Sequence, residues 1–277
     1  SAGGGSQASI EEDASAKGIK AAVAVVIDGG TLTIDSSDDA IHSNGSLVVN
    51  GGIFVLSTGD DAMHADSSLT INGGQIRITD SYEGIESSVI TIHDGDIHIV
   101  SSDDGINVAA GIDGSGMNPG PGRGGGRGLP PGQGTGPSMP SGQGTGPGMP
   151  PGQWGGAGGD GFTYLGDFYL YIHSGTIAIE SGGDGLDVNG AIEMTGGVVL
   201  VHGPVENMNG ALDYQAGFKI TGGLLVAVGS AGMAQAPDES SSQYSVLLNL
   251  DGTLPADTLL HIPVSYTHLT LPTKRIV

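Results

Sequence analysis

The sequence predicts an all-β chain folded as a parallel β-helix, a solenoid of about seven to eight rungs. Three observations carry this expectation. From Thr31 to Gly95 one pattern is repeated three times, TLTIDSSDDAIHSNGSLVVNGG, IFVLSTGDDAMHADSSLTINGG and QIRITDSYEGIESSVITIHDG, at a period of 22 residues slipping to 21. Within each repeat the apolar residues alternate with period two, which is the spacing of strands rather than helices. Each repeat also closes on a glycine corner, as in Asp28-Gly29-Gly30, Asn50-Gly51-Gly52 and Asn72-Gly73-Gly74. A unit this short cannot bury an apolar face alone and must stack on its neighbours. A propeller blade would need roughly twice the period.

The chain can be taken in order on this basis. Ser1–Ser15 is a Gly/Ser-rich and then acidic entry, and Lys17–Gly30 reads as a first partial rung. In-register columns follow. One is Leu32, Phe54, Ile76, Ile97, Ile177, Val199 and Leu225; another is Ile41, Met63, Ile85, Ile106, Leu186 and Leu212; a third is Val25, Leu47, Leu69, Ile90, Leu170, Ile192 and Phe218. Residues 111–161 interrupt them with a low-complexity Gly/Pro-rich segment that has little to bury, so a disordered loop is expected there. Leu170-Tyr171-Ile172 then resumes in the phase of Leu69-Thr70-Ile71, which makes the segment an insertion at a corner. The expected domain is 17–262, a single β-helix. The end, 265–277, fits no rung, resembles a translated adaptor sequence and is set aside as a non-native tail. The corners are expected to be structural, with glycine supplying positive φ and the polar residue bonding the next rung's backbone.

Composition narrows the function classes. Hydrophobic residues are 37% of 277 and aromatic residues 4%, which suits a narrow solenoid filled with Ile, Leu and Val. The net charge of −22 argues against nucleic acid or an anionic membrane as partner. The longest apolar run, Ala21–Ile27, is too short to span a bilayer, so no membrane insertion is expected. With 0 cysteines there is neither a disulfide nor a thiolate metal site. No signal peptide is visible, and because the chain opens at Ser1 an upstream segment is expected.

The chemistry lies in the turn before the third strand and in that strand itself. Asp39, Asp61, Glu83, Asp104 and Asp184 recur at one phase, and Asp38, Asp60 and Asp103 precede three of them. Just beyond stand His42, His64, Glu86, Asn107, Asp187 and Asp213. Stacking places equivalent acids about 4.8 Å apart. Two carboxylates at that distance repel by ~1 kcal/mol in water and ~3.5 kcal/mol at an effective dielectric of 20. The only bases near the rungs are Lys17, Lys20, Arg77 and Lys219, too few to neutralise the stripe, so a bound cation is the expected remedy. Carboxylate and amide oxygens are hard ligands that favour Ca²⁺. The candidate ligands are Asp38, Asp39, Asp60, Asp61, Glu83, Glu86, Asp103, Asp104, Asn107, Asp184, Asp187 and Asp213. A solvated acidic face of ordinary turn residues is the alternative. The His42–His64 pair is expected to stack on the outside rather than bind zinc. Gly182-Gly183-Asp184-Gly185-Leu186-Asp187 also matches, once, a calcium-binding nonapeptide pattern.

Several unlike motifs keep a shared order: DDAIHSNGSLVVNGG, SYEGIESSVITI, SSDDGIN, the Gly/Pro-rich insert, GDGLDVNG, GALDY and GSAGMAQAP. Over roughly residues 17–262 the chain thereby resembles secreted bacterial carbohydrate-binding β-helix proteins. These bind cellulose and polygalacturonate on a fold similar to that of pectate lyases. The resemblance implies a right-handed coil, bound calcium, a plant cell-wall polysaccharide as partner, a secreted or cell-surface location, and polysaccharide binding without demonstrated lyase activity. A monomer is expected. The competing readings are a polysaccharide lyase, a polygalacturonase-like hydrolase using paired Asp residues, and a structural adhesin or spacer.

Overall fold

The computed structural model describes residues 16–109, 167–252 and 258. The chain winds as a parallel β-helix of seven turns, its strands forming three seven-stranded sheets. One turn shows the plan. A long strand, Thr31–Ser36, leads through an acidic turn to a short strand, Ile41–Ser43, and then to a middle strand, Ser46–Val49; a glycine corner returns the chain to the next long strand, Ile53–Thr58. Long strands pair only with long, short with short and middle with middle, all parallel.

The register follows the repeat. Leu32 pairs with Phe54 and Ile41 with Met63, while Leu69, Ile90, Leu170 and Ile192 align in one column of the middle sheet. Side chains alternate across each long and middle strand, so these residues point inward; Leu69, Ile90, Leu170 and Ile177 are wholly buried. Each such side chain contributes about 1.5–3 kcal/mol when removed from water. The first partial rung is more complete than its sequence suggests. Ile19–Ala21 and Ala24–Ile27 are strands of the short and middle sheets, with Ile19 opposite Ile41. At the far end, residues after Val228 cap the coil. The Asp238 amide donates to the Phe218 carbonyl, the Ile220 amide to Ser241 Oγ and the Tyr214 hydroxyl to the Ala236 carbonyl. Such a cap covers strand edges that would otherwise be open to further pairing. Among the described residues no helix is long and apolar enough to cross a membrane.

The corners require glycine for two reasons. Gly175 has φ 87°, in the left-handed region, and a Cβ there would sit 2.6 Å from the Gly95 carbonyl oxygen of the turn below. The polar corner residues follow expectation only in part. At the first corners they bond one another: Asn72 Nδ2 donates to Asn50 Oδ1 and Asn50 Nδ2 to Asp28 Oδ1, both at 2.7 Å, whereas the Thr221 hydroxyl reaches the Met194 carbonyl of the turn below at 3.5 Å, as expected. Stacked amides satisfy each other because each offers both a donor and an acceptor at the rung spacing.

The expected loop, 111–161, and the expected tail, 265–277, lie outside the described residues. The flanks of the loop are nonetheless in register: Ile90 pairs with Leu170 and Ile97 with Ile177. Replacing 111–161 by two glycines should therefore leave the coil intact. Shortening the connection from about 60 to about 10 residues lowers its closure cost by about 1.5 kcal/mol. The deletion variant should keep cooperative unfolding and the wild-type far-UV spectrum, with an equal or higher melting temperature; loss of cooperativity would show that the segment is needed for packing.

Candidate acidic and metal-binding ladder

Two columns of polar side chains run beside the short sheet. Strand pairing aligns Lys20, His42, His64, Glu86, Asn107, Asp187 and Asp213 as one outward column. The turn before each short strand supplies the other, Asp39, Asp61, Glu83, Asp104 and Asp184, held by amide-to-carbonyl bonds between successive turns. The acids have a structural part. Asp39 Oδ1 accepts from the Asp61 amide, Asp104 Oδ1 from the Asp184 amide and Asp184 Oδ1 from the Gly210 amide. A carboxylate at this phase thus ties its turn to the next.

The first turns carry their own neutralisation, which corrects the expectation that protein bases cannot supply it. Lys17 Nζ, almost fully buried, bridges Asp38 Oδ1 at 2.8 Å and Asp39 Oδ2 at 2.7 Å. His42 Nδ1 lies 2.7 Å from Asp39 Oδ2. His64 faces three carboxylates: Nδ1 is 3.0 Å from Asp61 Oδ2 and 2.7 Å from Glu86 Oε2, and Nε2 is 3.1 Å from Asp66 Oδ1. Only an imidazolium donates from both nitrogens. Burial works against that charge, but the bonds from Asp61 and Glu86 outweigh it and push His64 up to about 11. The two imidazoles stack at 4.8 Å, as expected, yet they are not on the outside: both are fully buried, because the acidic turns fold alongside the rings.

The later turns differ. Glu83 accepts from Asn107 Nδ2 at 2.8 Å. Asn107 is itself 8% exposed, and its Oδ1 has no hydrogen-bond partner. Asp104, Asp184 and Asp187 bring carboxylate oxygens within 4.8 Å of one another. Among the described residues no Lys, Arg or His pairs with any of them. Asp103 and Asp104 crowd the position of Gly183, where a Cβ would collide with both carboxylates. Glycine at this point of the nonapeptide-like stretch leaves room between the acids. Asp213 continues the column and accepts from Gln235 Nε2 at 3.3 Å. Burial, and then the neighbouring carboxylates, push Asp104 up to about 8, Asp187 to about 7 and Asp184 to about 6. Burial and the charges of Asp61 and Glu86 likewise raise Glu83 to about 9. Asp61 is also raised, by burial, with His64 opposing.

The structure therefore gathers the twelve sequence candidates into one stripe but divides it. Asp38, Asp39, Asp61 and Glu86 pair with Lys17, His42 or His64, Asp60 groups with Asp38 and Asp39, Glu83 is held by Asn107, and Asp213 by Gln235. Asp103, Asp104, Asn107, Asp184 and Asp187 form an all-oxygen end suited to a hard cation. Lys17, Asp66 and Gly183 were not among the candidates. Lys17 stands 22 residues before Asp39, and that spacing was its available signal.

The raised groups give a clear pH sign. A carboxyl raised in the fold binds more protons there than in the unfolded chain, so its stability is present at low pH and is lost as pH rises through its folded value. The His64 contribution is full below about 6.5 and is lost as pH rises towards about 11. Metal-free protein should consequently melt lower at pH 8.5 than at pH 5.5 in chelator; the opposite order contradicts the assignment. Replacing His64 with Gln leaves Asp61 and Glu86 uncompensated and should cost about 3–5 kcal/mol in a denaturant melt.

Comparison with known proteins is sparse. A family model described as "Carbohydrate-binding domain-containing protein" matches residues 1–62. No curated protein and no solved structure matches the chain. The matched portion ends at the second acidic turn, includes Asp38, Asp39, Asp60 and Asp61, and supports a carbohydrate-binding role in general terms.

Proposed function

We propose that this chain is a non-catalytic, calcium-dependent polysaccharide-binding protein of the cell surface or secretome, acting as a monomer on acidic polymers such as polygalacturonate and on cellulose. The observation that carries the reading is the Asp104–Asp184–Asp187 cluster, which has no base paired with it among the described residues and stands beside the unpartnered Asn107 Oδ1. An acidic rod repels an anionic polymer. A cation held by protein carboxylates reverses this, because it keeps coordination positions open to sugar carboxylates and hydroxyls. Asp104, Asp184, Asp187 and Asn107 would hold the ion, and the raised carboxyls would release their protons to solvent as it binds. The repeating turns supply a regular surface for a regular polymer.

The non-catalytic part of the proposal rests on where the bases lie. A lyase needs a base beside a calcium-bound uronate. Arg77 is on a long strand, opposite Val55 and His98, and not on the short sheet that carries the cluster. Lys219 sits on the middle sheet, 3.7 Å from Glu193.

Polygalacturonate pull-down with millimolar CaCl₂ or chelator tests the proposal. Binding should require calcium and weaken with added salt. The Asp104→Asn/Asp187→Asn variant should lose calcium-dependent binding. It should also lose the calcium-induced stabilisation, ~2.7 kcal/mol for wild type at 100 times the Kd. Equal binding in chelator, or uronate release by the wild type, would overturn it.

A further inference from the structure

A coil of like repeats has no intrinsic length, because each turn contacts only its neighbours, so the sequence must contain what ends it. The cap over the last turn is unequal. The inward Phe218 and Ile220 of the middle sheet are buried beneath it. The last long strand, Leu224–Val228, pairs with Val198–His202 on one side, and among the described residues no strand pairs with its other side. Its inward Ala227 ends the buried column of Ile179 and Val201, yet Ala227 itself is exposed. One repeat later, 22 residues on, Val246, Leu247, Leu248 and Leu250 are exposed too and form no strand. The chain thus leaves an open apolar edge and, in phase with it, an apolar segment that does not fill it.

The corner between them accounts for this. At each corner from Asn50 to Thr221, two amides bond the turn below at 2.8–2.9 Å: that of the corner residue and that of the residue three places on. The first pair runs from Asn50 to the Ile27 carbonyl and from Ile53 to Gly30; the last runs from Thr221 to Met194 and from Leu224 to Gly197. Gln243 opens the next corner in the same way, its amide donating to the Ile220 carbonyl at 3.4 Å. The second bond, from the Val246 amide to the Gly223 carbonyl, does not form. Gln243 Nε2 donates to that carbonyl instead, at 3.1 Å. The residue before the long strand is also wrong for a corner. Gly197 and Gly223 hold that place with φ 84° and 91°, and a Cβ on Gly223 would sit 2.6 Å from the Gly197 oxygen. Ser245 stands there in the next corner. Tyr244 takes the place of Gly222, where a Cβ would collide with the Thr195 carbonyl. Neither residue suits so tight a turn.

We propose that Gln243-Tyr244-Ser245 is a built-in stop that ends the coil one strand early and holds Val246–Leu250 off the edge of Leu224–Val228. Its two parts act together. The Gln243 side chain occupies the carbonyl at which the next long strand would start, and the side chains of Tyr244 and Ser245 exclude the corner that would deliver it. The register of the Gln243 amide shows where the segment belongs without the stop: Leu247 over Leu225 and Asn249 over Ala227. An open edge is a template for further pairing, and the nearest apolar strand-former is this chain's own next segment. The stop concerns the end of the long sheet and depends on neither calcium nor a polysaccharide.

Residue-resolved hydrogen exchange of the full chain tests this. In a parallel ladder alternate residues bond opposite neighbours. In wild type the Leu224 and Val226 amides, which face Val198–His202, should exchange slowly, and those of Leu225, Ala227 and Val246–Leu250 fast. Gln243→Asn/Tyr244→Gly/Ser245→Gly restores the sequence of the earlier corners and should slow the Leu225, Ala227, Val246, Leu248 and Leu250 amides at least tenfold. Gln243→Ala/Tyr244→Ala/Ser245→Ala removes the side-chain cap but supplies no glycine, and should leave them fast. Slow Leu225 and Ala227 amides in wild type overturn the proposal, whether a second copy or another part of the chain fills the edge. Fast exchange at those amides in the glycine variant, failure of that variant to fold, or slow exchange in the alanine variant overturns it equally.

Discussion

Everything in this molecule follows from parallel stacking in register at one rung spacing. The arrangement places like residue on like residue. For Ile, Leu and Val that is favourable: the column Leu69, Ile90, Leu170 and Ile192 is a continuous buried rod of hydrocarbon. For Asn it is also favourable, since stacked amides donate and accept in turn. For carboxylates it is costly, and the acidic stripe is where the same geometry works against the fold.

The chain meets that cost in two ways. In its first turns it inserts cations of its own, Lys17 and the His64 imidazolium, between the acids. In its later turns it has no such partner among the described residues, and the carboxyls hold protons at pH values where they would otherwise be ionised. Strongly perturbed acids gathered at one place are a mark of functional sites. Here the perturbed groups are also the ones whose oxygens converge. An arrangement poor as an empty structural element is well suited to taking up a divalent ion.

Much of this was legible as periodicity. The columns, the number of turns and the in-phase return after residue 161 follow from spacing alone, because one residue of slip would move a whole strand's apolar set to the wrong face. What spacing did not reveal was depth. His42 and His64 occupy outward strand positions, and alternation places them in solvent; the adjoining turns bury them. Lys17 was visible at the repeat distance from Asp39, but its role depends on a side chain long enough to reach two carboxylates. The need for Gly183 shows only when the turn below places Asp103 and Asp104 against it.

The central claim is that the later half of the stripe takes up a divalent cation in exchange for protons. Calorimetric titration of calcium into metal-free protein at pH 7, in buffers of different ionisation enthalpy, measures both events at once. The account predicts saturable binding with net proton release to the buffer, abolished in Asp104→Asn/Asp187→Asn. Binding without proton release, or no binding, would contradict it.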